Sequence, residues 1–238
     1  MSEQPPATRS ADTNRSAYDV ADIVPVDGFD AVSAGTNVLV SGPPQSGKTR
    51  LALRLLARGT ATGEQAIAVT ADVDGTRLRQ RFEAVDGDPS RLHVVDCSGA
   101  SGKESFDDAE GVRYVSSPAD LTGIGLGVVK CTRQIVADAD ADDDGVRLST
   151  LSLSTMLRYT EMNRLFGFLH VLTGRVSAAG YLGVSTVDPT AHSDEERNTL
   201  RSLYDVVVEL RETDDGSREI RVVGDEDVPS TWRTLAPP

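Results

Sequence analysis

The sequence predicts an α/β fold: a mainly parallel sheet with helices on both faces and an antiparallel hairpin at its C-terminal end. Three observations carry this. Short apolar runs alternate with helix-periodic stretches along most of the 238 residues. A glycine-rich loop sits between the first strong apolar run and the first helical stretch. Near the end, two apolar runs flank Asp214-Asp215-Gly216, a hairpin turn signal.

In order, Val38–Val40 reads as a buried strand, followed by a loop and a helix from Lys48 to Arg58. Ala66–Thr70 is a second strand and Arg77–Val85 a second helix. Leu92–Val95 is a third strand, ending at Asp96. A polar loop spans Gly99–Gly111. Ser117-Pro118 then gives an N-cap and first-turn signal for a helix towards Ala137, with Leu121, Ile124, Val128 and Ile135 on its apolar side. After the acidic run Asp138–Gly145 come a strand over Val146–Leu151 and a helical region over Met156–Ser177. In that region Leu165, Phe168, Leu169 and Leu172 share one face. Tyr181–Val187 is a strand, Glu195–Leu203 a helix, and Val206–Leu210 and Ile220–Val223 the final hairpin. The domain is expected over 19–228, with a disordered tail over 1–18 and a loose tail over 229–238.

Composition narrows the function classes. There are 37 acidic and 24 basic residues, a formal charge of -13, and a pI near 4.6. An acidic chain with no basic cluster argues against nucleic acid as a direct partner. No apolar run approaches the ~20 residues of a membrane helix, and the N-terminal stretch has no signal-like apolar segment. Cys97 and Cys131 form neither a disulfide framework nor a metal spacing, so a cytoplasmic location is expected. Only three of the basic residues are lysine, Lys48, Lys103 and Lys130, while Asp outnumbers Glu 25 to 12. Such Asp-rich, Lys-poor surfaces resemble those of halophilic archaea, where short carboxylates hold water against concentrated salt.

Gly42-Pro43-Pro44-Gln45-Ser46-Gly47-Lys48-Thr49 matches the Walker A pattern in full and lies between a strand and a helix, where its chemistry works. Its backbone N–H groups and the helix dipole can surround a phosphate. Lys48 can reach the terminal phosphates and the Thr49 hydroxyl can ligate magnesium. ATP and Mg²⁺ are therefore the expected ligands.

The lead-in Ile23-Val24-Pro25-Val26-Asp27-Gly28-Phe29-Asp30, then Gly35–Ser41 and this loop, resembles the entry to RecA/RadA recombinases and KaiC-type ATPases. The stretches Arg164–Arg175 and Gly183–Pro189 are similar to a haloarchaeal branch of that superfamily. The resemblance implies a RecA-type core and ATP binding. It also implies a metal-shell carboxylate ending one strand and a Glu beyond another that orients water. The first falls on Leu151 within Arg147–Ser154, or on Asp96 if Leu92–Asp96 is the metal strand. The second falls on Asp72, one methylene shorter than Glu. The basic pair that such proteins present from the last hairpin falls on Gly224 and Glu226.

These departures lead to an expectation of an ATP-binding regulatory protein with weak or absent hydrolysis, acting through nucleotide-dependent docking to a protein partner or to further copies of itself. The alternative is an active recombinase-type ATPase in DNA repair, with Asp72 or Asp96 supplying the carboxylates. Ser185, Thr186 and Asp188 are read either as γ-phosphate sensors or as the turn before Pro189. His93, His170 and His192 show no ligand spacing, and Asp140–Gly145 matches only half of a calcium loop.

Overall fold

The computed structural model describes residues 16–99, 111–138 and 145–235. In chain order its strands are β1 (Ala17–Asp19), β2 (Ala31–Ser33), β3 (Asn37–Ser41), β4 (Gln65–Thr70), β5 (Leu92–Asp96), β6 (Val112–Tyr114), β7 (Val146–Leu151), β8 (Leu182–Val187), β9 (Val206–Glu212), β10 (Arg218–Val223) and β11 (Arg233–Leu235). The helices are α1 (Lys48–Thr60), α2 (Gly75–Glu83), α3 (Leu121–Asp138), α4 (Leu153–Met156), α5 (Met162–Ala178) and α6 (Asp194–Arg201). Nine strands form one sheet in the order β11-β10-β9-β3-β8-β7-β4-β5-β6. The run from β9 to β6 is parallel, and β10 and β11 are antiparallel additions.

The strands are apolar on both sides because both faces are covered. Val38, Val40, Ala66 and Ala68 pack with Leu51, Leu55 and Leu56 of α1 and Leu78 and Phe82 of α2. The alternate residues Leu39, Ile67 and Val69 pack with Ile124 and Val128 of α3, Leu165 and Leu169 of α5, and Leu200 of α6. Burying each such leucine contributes about 1.5–3 kcal/mol. The β1–β2 ribbon closes the first layer with Tyr18, which is fully buried.

One ion pair lies inside this first layer. Arg147 Nε donates to Glu64 Oε2 at 2.6 Å and Nη2 to Glu64 Oε1 at 3.1 Å, both side chains being 1% exposed. Arg147 Nη1 donates to the Leu55 carbonyl at 2.7 Å, and its guanidinium lies 5.4 Å from the Tyr18 ring centroid. Gly59 makes room for the pair: a Cβ there would stand 2.5 Å from Arg147 Nε and 2.6 Å from Glu64 Oε2.

Several elements differ from the sequence reading. The α3 helix starts at Leu121, because the Asp120 carboxylate accepts from the Gly123 N–H at 2.8 Å and caps it. Ser117 instead accepts from the Ala119 N–H one turn earlier. The single helical region after β7 is two helices, since Glu161 adopts an extended backbone and begins α5 afresh. Some residues assigned to the two tails lie in strands. Tyr18 is drawn into β1 by its burial, and Arg233–Leu235 adds to the sheet as β11. Trp232, just before β11, lies against Arg211 and Arg221, 4.0 and 4.4 Å from guanidinium to ring centroid. Most of the polar loop over 99–111 and of the acidic run over 138–145, with its half calcium pattern, lies outside the described residues.

Cys97 and Cys131 are both buried and form no disulfide. Burial pushes the Cys97 thiol up to about 12, and the nearby Asp96 carboxylate adds to this. A thiol so placed supplies almost no thiolate at pH 8. Native protein is therefore expected to leave Cys97 unlabelled by a thiol reagent at pH 8, whereas unfolded protein reacts at once. Rapid labelling of the native state, mapped to Cys97, would contradict its burial.

Candidate functional site

The site is built where β3 ends. The chain leaves the sheet at Ser41, turns through Gly42–Gly47 and enters α1 at Lys48. Gln45 and Gly47 take positive φ, 64° and 91°, which turns the loop back over the helix end. Gly42 allows the closest approach, since a Cβ there would lie 2.5 Å from Ser46 Oγ. No side chain caps α1 and its first turn holds no acid, so its first N–H groups remain available to an anion. Lys48 Nζ donates to the Pro43 carbonyl at 3.0 Å across the loop. Burial lowers its pKa, while the Asp188 and Asp72 carboxylates act in the opposite direction.

A cavity of about 750 Å³ opens beside the loop. One wall is the loop itself, with Pro44, Gln45, Lys48 and Thr49. Asp72 enters from the turn after β4, and Thr186 and Asp188 from the end of β8. The far wall comes from the segment after β7, with Ser152, Ser154, Thr155, Arg158 and Glu161, from the segment before α6, with His192, and from the first turn of α6, with Glu196. These residues converge because β3, β8, β7 and β4 are neighbours in the sheet and parallel, so their C-terminal ends open on one edge.

The residues singled out in the sequence meet different fates. The whole phosphate loop, Lys48, Thr49 and Asp72 are brought together. Asp96 is not, because β5 stands four strands from β3 and Asp96 does not line the cavity. It is 1% exposed, its Oδ2 accepts from the Gly75 N–H at 2.9 Å, and its Oδ1 accepts from the Ser98 N–H and hydroxyl at 2.9 and 2.6 Å. Its geometry is that of a tie between β5 and the start of α2. β7, two places from β3, ends in Leu151, a fully buried side chain with nothing to offer a metal shell. Asp188 makes the turn suggested for it and also lines the cavity. Its Oδ1 accepts from the Thr190 N–H and hydroxyl in the turn, and it lines the cavity facing Lys48. Thr186 Oγ1 accepts from the Ser152 N–H at 2.7 Å, holding Ser152 in a left-handed conformation with φ of 65°.

Other residues escaped sequence reading. The far wall holds His192, whose Nε2 is 2.8 Å from Ser154 Oγ. The Glu196 carboxylate is held in its ionised form by the Ser193 N–H and hydroxyl, with His192 beside it. The Ser-x-x-Glu capping box at Ser193 and Glu196 was the readable signal for this corner. Arg218, at the start of β10, brings Nη1 to 3.4 Å from where a Gly47 Cβ would stand, so the hairpin does present a cation at the phosphate loop.

Comparison with known proteins agrees with this architecture. A solved KaiC-like protein from the hyperthermophilic archaeon Pyrococcus horikoshii OT3 superposes with a TM-score of 0.64 at 16% identity, over 96% of this chain and 94% of that one. At that identity the likeness is one of fold. No curated protein matches the chain. The family model that matches residues 35–210 is described as a family of unknown function, DUF7504. The protein therefore belongs to the DUF7504 family and is built on a KaiC-like fold.

Proposed function

We propose that this protein binds ATP at the Gly42–Thr49 loop and uses it as a conformational signal, with hydrolysis weak or absent. The observation that carries the reading is the pairing of an intact phosphate cradle with Leu151 at the end of β7. The loop fits a triphosphate through its free N–H groups, its positive-φ turn and Lys48. For magnesium the fit is thinner. Among the described residues no trio of His, Cys, Asp or Glu is arranged to hold a metal ion. Thr49, with the phosphates themselves, would hold it, and the ion would supply charge neutralisation there.

Nucleotide would order the cavity walls that different strands contribute, and a protein partner or a second copy would read that state. The Asp-rich, Lys-poor composition supports working conditions in concentrated KCl. The test is a calorimetric titration of Mg·ATP in molar KCl, with free phosphate followed in the same samples. Binding without sustained phosphate release is the expected result. Sustained release would instead favour the ATPase reading, with Asp72, one of the acids that line the cavity, as the residue that orients water.

A further inference from the structure

A second cavity, of about 330 Å³, opens beside α6 at the same edge of the sheet. Its floor is formed by Leu39 of β3, Val187 of β8 and Val207 of β9, three buried apolar side chains. Leu200 and Arg201 line it from α6, and Trp232 lines it from the segment before β11. The indole is held by charge: the Arg211 and Arg221 guanidinium groups lie 4.0 and 4.4 Å from its ring centroid. Those two arginines are tied in turn to Glu219 and Glu209. A ring held in this way is a flat apolar surface already in place for a ligand.

One cation of the cavity is loosely engaged. Glu209 belongs chiefly to Arg221, whose Nε and Nη2 both stand 2.6 Å from its Oε2. Arg201 reaches Glu209 Oε1 only at 3.5 Å. An incoming carboxylate can therefore take the Arg201 guanidinium while Glu209 keeps its closer partner. Arg197 is less available, since it pairs with Asp194 and donates to the Pro189 carbonyl at 3.1 Å. An apolar floor, a fixed ring and one guanidinium that can turn together select a flat acid. The volume is at the lower end of the ~300–1,000 Å³ of small-ligand pockets, which suits a molecule of one or two rings.

The two cavities share a partition. In the turn after β8, Asp188 lines the first and Pro189 the second. In α6, Glu196 lines the first and Arg197 the second. A ligand on either side bears on the same turn and the same helix, and any such coupling acts equally in both directions.

We propose that the second cavity binds a small aromatic carboxylate, its ring on Trp232 and its carboxylate on Arg201, and that its occupancy changes the affinity of the phosphate loop for nucleotide. The coupling rests on the nucleotide reading above; the site itself does not. Trp232 is the only tryptophan of the chain, so its emission reports this cavity directly. The experiment titrates the full chain in molar KCl with 4-nitrobenzoate, whose nitro group quenches indole emission on contact, and with the uncharged 4-nitrobenzamide. Saturable quenching by the acid is expected, with the amide at least about tenfold weaker for want of a charge-assisted hydrogen bond. Arg201→Ala should remove that preference and leave the affinity for the amide unchanged. Saturating Mg·ATP should shift the affinity for the acid by at least about fivefold, the lower end of typical coupling. Quenching that never saturates, or equal affinity for acid and amide in the wild type, overturns the site, and neither result depends on a variant's folding. An unchanged affinity for the acid when calorimetry shows ATP bound overturns the coupling. No ATP bound overturns the nucleotide reading and leaves the site standing.

Discussion

Glu64→Gln is expected to destabilise the protein by about 3–5 kcal/mol, the usual result of leaving one member of a buried ion pair without its partner. The substitution keeps the shape and removes the charge. Arg147 would keep the Leu55 carbonyl, the Tyr18 ring and one amide oxygen of the glutamine, but would lose its paired charge in a site that water does not reach. Replacing both partners, Glu64→Leu with Arg147→Met, is expected to recover most of the loss, because two desolvation penalties disappear together. Chemical denaturation of the wild type and the variants measures this. The cost should barely change between low and high KCl, since counterions screen exposed charges far more than buried ones. A single-variant loss below about 1 kcal/mol would mean that the pair contributes no more than a surface salt bridge.

Lys48→Ala is expected to weaken ATP binding by at least about 100-fold, equivalent to about 2.7 kcal/mol, in line with the loss of charge-assisted hydrogen bonds to phosphate. In the free protein the ammonium has one hydrogen bond, to the Pro43 carbonyl, and its pKa is lowered by burial. That pull is modest beside a triphosphate, so the group is free to move to the ligand. Calorimetry on the two proteins gives the ratio. Equal affinities would place the nucleotide elsewhere.

How much of this could be read from the sequence depended on how local each signal was. β7 was met to the residue from its apolar Val146, Leu148 and Leu151, although nothing local told that Arg147, Ser149 and Thr150 would be buried as well. The phosphate loop was legible because its chemistry is contiguous. By contrast β1, β2, β6 and β11 are three residues each, too short for periodicity, and they exist because a neighbouring strand pairs with them. The α4–α5 break was hidden because Leu157 and Met162 keep the region apolar while Glu161 interrupts its backbone. Asp96 had the right local pattern for a metal ligand, yet the strand order carries it away from the loop. Ser154 and His192 are 38 residues apart and meet only because β7 and β8 are adjacent.

The order of the sheet also limits how copies of this protein can adhere. Its two outermost strands, β6 and β11, are three residues each among the described residues. Arg233 of β11 is tied to Asp27 at 2.6 Å. A rim this short exposes few unpaired backbone donors and acceptors and gives an incoming strand little to template on. Lateral fibril-like growth is thereby discouraged at these described edges. Side-chain surfaces, rather than backbone pairing, are what the described part of this molecule offers to its neighbours.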